Sequence, residues 1–307
     1  MLLRIHKQWL AHFICAMLGT ASIAGAWDVW WHMLRIRDTF WEPPHILLYS
    51  SIALAIIGSV YGGYYFREKV WVKLAAVFAI IPLAAPFDNL WHNVFGREVL
   101  TSPLVVWSPP HMMLIVGFML GIFYLVRIIK RDKDIILHEF FGSLAFAIFA
   151  GSLFFVTAPL HPFENHHLLG FWGAGSITFA MVIGVLLAQR EFPSPLSATY
   201  VMLYFTLFRL ANFHESVNPK VIIQAHPHIP AWIFIFSFIT PAIISDLMRY
   251  KSARARGVIF GFVYGFLFYF ISLFFVGPEF IYSFNNLIQA IVSSMIGGFA
   301  AALVVRK

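Results

Sequence analysis

Long apolar blocks, rather than short-period alternation, set the pattern of this chain, and each block ends in a short stretch carrying Pro, Gly or charge. Ten blocks reach the roughly 17–25 residues that a helix needs to cross a bilayer. They cover 9–33, 45–66, 70–92, 110–129, 138–157, 168–188, 196–213, 231–248, 257–276 and 284–305. Backbone facing lipid must satisfy its hydrogen bonds internally, so blocks of this length predict helices. The short alternating strands that a transmembrane barrel requires are missing from the sequence. The pattern therefore predicts an all-α, polytopic transmembrane bundle of about ten helices, a single integral membrane domain spanning 1–307 without a soluble domain or long linker.

Composition agrees: 60% of the residues are apolar and 11% charged, against about 45–50% and about 25% in soluble domains. The charges add more, because they sit in the breaks between blocks. The even-numbered breaks (67–73, 127–134, 189–192 and 248–256) and the two ends of the chain hold 16 of the 21 Lys and Arg. The other side holds Arg35, Arg37, Arg97, Arg209 and Lys220. The positive-inside rule then predicts both termini in the cytoplasm of a multi-pass plasma-membrane protein. The net charge of +7 is accounted for by this topology, and the scatter of basic residues over separate turns argues against a nucleic-acid partner. The first apolar block lacks a small-residue cleavage site, so it is expected to be a retained span. A lone cysteine, Cys15, excludes a disulfide framework and a thiolate metal cluster, and is expected to be a small core residue.

The thirteen histidines are distributed unevenly. His6, His12 and His138 fall at the predicted cytoplasmic end; His32, His45, His92, His111, His161, His166, His167, His214, His226 and His228 all fall at the outer ends of helices or in outer loops. Spacing sharpens the asymmetry. Asp28 and His32 are four apart and share a helix face, and Pro43-Pro44 is a helix start that puts His45 in the first turn of the second helix. A short hairpin brings these levels together. The arrangement recurs as Asp88-x3-His92 at the end of the third block and Pro109-Pro110-His111 at the start of the fourth. A single Asp or His at a helix end is ordinarily an interfacial residue. A repeated triad with carboxylates inside spans, each costing roughly 2.5–3.5 kcal/mol on insertion scales, marks function instead. Two imidazoles with a carboxylate suit copper, zinc or non-haem iron.

The first triad, Asp28-x3-His32-x12-His45, set against WHMLRIRDTFWEPPHI, resembles the signature of the C subunit of particulate methane and ammonia monooxygenases, a copper membrane monooxygenase family. The following DNLWHNVFGREVLTSPLVVWSPPH resembles the neighbouring ligand cluster of that family, with Asp88 standing where the family has asparagine and a longer gap to His111. The resemblance covers about residues 20–120. It implies copper at Asp28, His32 and His45, a second site at Asp88, His92 and His111, partner subunits of the monooxygenase type, and dioxygen acting on a small apolar substrate. Residues 131–307 align with nothing in that subunit and form an additional helical half beside the 1–130 hairpin half.

That second half carries LHPFENHH (160–167), with His161, His166 and His167, and NFHESVNPKVIIQAHPH (212–228), with His214, His226 and His228. These histidines have three readings: further metal ligands, a rim that captures or delivers metal, or solvated loop residues. His161-x4-His166-His167 also resembles the histidine boxes of membrane di-iron hydroxylases and desaturases, which use shorter gaps and face the cytoplasm. Trp27, Trp30, Trp31, Trp41, Trp91 and Trp107 fit an aromatic belt at the outer interface. Gly297-Gly298 predicts close helix packing, and the Phe-rich stretch 260–275 a lipid-facing or packing surface. Two functional classes follow: a copper-dependent membrane oxidoreductase or monooxygenase, and a non-catalytic copper-handling membrane protein. Asp28 and Asp88 speak against a third, bis-histidine haem binding.

Overall fold

The computed structural model describes residues 2–34, 41–96, 107–130, 137–157, 171–216, 231–271 and 284–305. Those residues are helical almost throughout and include no strand. Ten helices follow one another: α1 (Leu2–Leu34), α2 (Pro43–Phe66), α3 (Lys69–Phe95), α4 (Pro109–Lys130), α5 (Leu137–Thr157), α6 (Phe171–Glu191), α7 (Ser197–Ser216), α8 (Ala231–Leu247), α9 (Ala253–Gly265) and α10 (Phe284–Val305). Helix α9 runs on as a π-helical turn over Phe266–Phe270. Six of the ten, α1, α2, α3, α4, α6 and α10, are long and apolar enough to cross a membrane. Large apolar side chains on them face outward, among them Ile57 (63% exposed), Leu83 (60%) and Val304 (62%). Surface of this kind is at home in lipid and costly in water, and the chain is a helical membrane protein.

Consecutive helices pair: α1 on α2, α2 and α3 on each other, α3 on α4, then α5 on α6 and α7. Helix α10 wedges between α6 and α9, while α1 also touches α4, α5 and α7 and so ties the two halves together. The core runs along these contacts, through Ile14, Leu18, Trp71, Phe78, Ile122, Met181, Phe192 and Phe260. Cys15 is one of its members, fully buried, with its thiol donating to the Phe141 carbonyl at 3.4 Å.

Lipid tails are as apolar as the helices, so close packing and hydrogen bonds must do what water expulsion does in soluble proteins. Helix α10 shows how. Gly297 and Gly298 are in backbone contact with α6 and α9: a Cβ on Gly297 would meet the Gly175 carbonyl, and one on Gly298 the Gly257 carbonyl. Gly257, Gly261 and Gly265 recur every fourth residue on α9 and line the seam against Ser294 and Gly298. In the other half, Gly117 and Gly121 on α4 receive Ile81 and Phe78 of α3, which sets the approach of those two helices.

Helix α3 is not straight. A turn at Ala79 separates Lys69–Phe78 from Ile80–Phe95, where the sequence pattern predicts one unbroken span. Pro82 is the cause: it lacks the N–H that would bond the Phe78 carbonyl four residues back, and its ring crowds the preceding turn.

At the basic end of the bundle several polar groups are paired. Asp246, buried on α8, accepts from Gln189 Nε2 (2.9 Å), the Ala198 N–H (3.0 Å), the Thr199 N–H (2.9 Å) and the Thr199 hydroxyl (2.8 Å). It thus caps α7 from a neighbouring helix, and Arg256 donates to Gln189 Oε1 behind it. Lys7 pairs with Glu68 at 2.5 Å, and Lys130 with Glu191. His12 stacks on Phe141 (4.3 Å between ring centroids) and His138 sets its edge to Phe192 (4.9 Å).

Gly257→Ala should therefore lower the thermal unfolding midpoint by several degrees, because its Cβ would press on a carbonyl, and overpacking costs about 1–3 kcal/mol. Gly25→Ala, whose Cβ meets nothing within 4 Å, should be neutral or stabilising. A fluorescence melt of both variants in one detergent checks the contrast.

Candidate metal centre

Asp28 lies on the last turns of α1, and Glu42, Pro43 and Pro44 start α2 so that His45 falls in its first turn. The antiparallel pairing brings His45 Nε2 to 2.9 Å from Asp28 Oδ1, with both side chains mostly buried. His32 sits on α1 one turn beyond Asp28; its side chain lies outside the described residues. Trp27 and Trp31, a turn apart beside Asp28, meet edge to face at 5.9 Å.

The second hairpin repeats the device. Beyond the break at Ala79, α3 ends with Asp88 and His92 one turn apart, while Pro109-Pro110 opens α4 and leaves His111 in its first turn. His92 Nε2 lies 3.3 Å from Asp88 Oδ2, and His111 Nε2 lies 3.4 Å from Asp88 Oδ1. One ligand atom from each residue falls within 4.8 Å of the others. Asp88 Oδ1 is buried yet makes no hydrogen bond of normal geometry, although His111 is beside it.

With metal–ligand bonds of about 2.0–2.2 Å, neighbouring ligand atoms on a tetrahedral ion lie about 3.4 Å apart. Each Asp88 oxygen already stands at that spacing from one imidazole, Oδ2 from His92 and Oδ1 from His111. The Asp28–His45 pair, at 2.9 Å, stands at ion-pair distance and must open slightly to admit an ion. The donor set, two imidazoles and a carboxylate, fits copper, zinc or iron and excludes nothing among them. Asp88, His92 and His111 keep roughly a quarter to a third of their side-chain surface exposed, so a ligated ion would retain open positions.

Two residues that the sequence pattern did not single out belong to the site. Gly96 adopts φ 79°, a conformation that side chains resist. There its N–H returns to the His92 carbonyl at 3.0 Å, and its own carbonyl accepts from His92 Nδ1 at 3.3 Å. A carbonyl can only accept, so Nδ1 carries the hydrogen of this contact, which fixes the ring with Nε2 turned toward Asp88, the orienting role that outer hydrogen bonds play at metal sites. Tyr49 lies one turn along α2 from His45, ring centroids 6.3 Å apart, and is within electrostatic reach of both Asp28 and Asp88. The two hairpin tips therefore share one neighbourhood. A glycine four residues past His92 and a tyrosine four residues past His45 were the available signals.

Trp91 packs on Phe95 at 4.3 Å, and Trp107 donates from Nε1 to the Val156 carbonyl at 2.9 Å. In the second half of the chain, His161, His166, His167, His226 and His228 lie outside the described residues, and His214 is on the last turns of α7 with its side chain likewise outside them. No known protein family, curated protein or solved structure matches this chain.

His92→Ala and His111→Ala should each remove most of one bound metal equivalent, and Asp88→Asn should weaken binding at nearly constant shape. Gly96→Ala should cost about tenfold in affinity through the misaimed imidazole. Metal content of the purified variants, with titration of the metal-stripped protein, measures both; unchanged affinity in all four would make the cluster structural.

Proposed function

We propose that the chain is a copper-dependent membrane oxidoreductase, a monooxygenase or a subunit of one, acting on a small apolar substrate. The observation that carries this reading is the convergence of Asp88, His92 and His111 into a ligand-spaced cluster beside the Asp28–His45 pair, at one end of an apolar bundle. Zinc and iron suit the same donors; the resemblance of residues 20–120 to the copper monooxygenase C subunit favours copper.

The residues have distinct parts in this reading. His92 and His111 bind through Nε2 as neutral imidazoles, and Asp88 offsets the charge of the ion. Asp28 and His45, with His32, form the second ligand set. Gly96 holds the His92 ring in its ligating orientation. Trp27, Trp31, Trp91 and Phe95 supply apolar surface that limits water near the carboxylates. Copper, when bound, supplies a reducible centre at which dioxygen is activated. The surrounding lipid concentrates both oxygen and apolar substrates, which suits a site at the bundle's rim.

The excess of Lys and Arg in the even-numbered turns supports cytoplasmic termini and clusters facing outward from the plasma membrane. Tags at either terminus should then be reached only from the cytoplasm, and a cysteine introduced at Arg97 labelled only from outside. The activity itself is tested by loading membranes with copper, adding reductant and co-encoded partner subunits, and following labelled oxygen into small hydrocarbons or ammonia. Incorporation that disappears in His111→Ala supports the reading. Tight copper binding with neither product nor oxygen consumption would instead make the chain a copper-handling protein.

A further inference from the structure

At the end of the bundle opposite the Asp and His clusters, α2 turns into α3 through Arg67 and Glu68 alone. A cavity of about 570 Å³ opens there, lined by Tyr64, Tyr65, Arg67, Glu68 and Lys69. Arg67 holds φ 54°, and among the described residues it is the one non-glycine with positive φ. A helix C-terminus in this conformation ordinarily takes glycine or asparagine, so an arginine held there points to a role for its side chain. Its guanidinium and the Lys69 ammonium are both exposed and enter no ion pair among the described residues, whereas Glu68 is neutralised by Lys7 at 2.5 Å. The cavity therefore carries a net positive charge. Tyr64 is 84% exposed and Tyr65 stacks on Tyr61 at 5.5 Å, which places amphipathic rings where an apolar span meets the headgroup layer.

We infer that this turn is a binding site for the headgroup of an anionic phospholipid, whose phosphate Arg67 and Lys69 hold while Tyr64 and Tyr65 flank its glycerol end. A guanidinium matches two phosphate oxygens at once, the ammonium adds a second positive charge, and the tyrosine rings cover apolar atoms that a free ion lacks. The site depends on neither metal nor catalysis.

The test is native mass spectrometry of the full chain in neutral detergent with equimolar phosphatidylglycerol and phosphatidylcholine. One phosphatidylglycerol should be retained in preference by about thirtyfold, the scale expected of two interfacial cations. Arg67→Gly and Lys69→Gln should each erase most of that preference. Arg67→Gly relieves the left-handed backbone, so its melting temperature should equal or exceed that of the parent chain, which separates lost binding from lost folding. Lys251→Gln, an exposed lysine in another turn at the same end, should change nothing. Equal retention of the two lipids, an unaltered preference in Arg67→Gly, or an equal loss in Lys251→Gln would overturn the assignment. So would full displacement of phosphatidylglycerol by millimolar inorganic phosphate, which would make the site a reader of free phosphate.

Discussion

A carboxylate in an apolar helix bundle must be compensated, and the three aspartates among the described residues are compensated in two different ways. Asp246 accepts four hydrogen bonds from Gln189, Ala198 and Thr199. Both of its oxygens are used, and nothing is left for an ion; it fixes the start of α7 against α6 and α8. Asp28 and Asp88 face imidazoles instead, at 2.9 to 3.4 Å. An imidazole can stabilise a carboxylate by carrying a proton, or give up that proton and join the carboxylate around a metal ion. Charge balance survives the exchange. Both arrangements meet the same physical demand, but only the second leaves a chemical option open.

That option depends on helices holding their ends in register without a hydrophobic force between them. Gly117 and Gly121 let α4 close on Ile81 and Phe78, about two to three turns from the ligands. The break at Ala79, imposed by Pro82, precedes the last turns of α3 that carry Asp88 and His92. In the other half, the glycine seams of α10 against α6 and α9 do the corresponding work, and α1 carries the constraint across by touching both halves. Helix ends are also where an irregular backbone is tolerated, which is why a residue such as Gly96 can adopt φ 79° and aim a histidine there.

Much of this was legible in the sequence because the signals are local. Block length predicts the helices, Pro-Pro the starts that position His45 and His111, and a spacing of four the shared faces of Asp88 and His92. The ligand separations were not legible. The sequence favours Asp28, His32 and His45 on motif resemblance; the geometry gathers Asp88, His92 and His111 within 4.8 Å, while the His32 side chain of the first set lies outside the described residues. Ligand separation depends on how α3 bends and how closely α4 approaches, and neither is written in the motif. The same holds for Tyr49, whose nearness to both carboxylates arises from three helices at once, and for Asp246, which in the sequence is an ordinary acidic residue beside a basic turn.

The interior between the two ends bears on what the clusters can do. Among the described residues, several buried polar groups in mid-helix are hydroxyls that return to their own backbone, while those of Ser143, Ser237 and Ser294 make no such bond. Ser59 donates to the Ala55 carbonyl at 2.7 Å, Thr178 to Ala174 at 2.8 Å and Thr206 to Met202 at 2.6 Å. Hydroxyls satisfied in this way neither relay protons across a bilayer nor pass an ion from site to site, which a conduit through the spans requires. The histidines deeper toward the basic end, His12 and His138, pack against the aromatic rings of Phe141 and Phe192, and no chain of ligands joins them to Asp28 or Asp88 among the described residues. A metal held at the tips would therefore exchange with the side it faces, or with a partner docked there, and its chemistry would be drawn from that same side and from the surrounding lipid. Such one-sidedness suits a fixed reactive centre better than a transport pathway, and it is a property of the helix interiors as much as of the ligands.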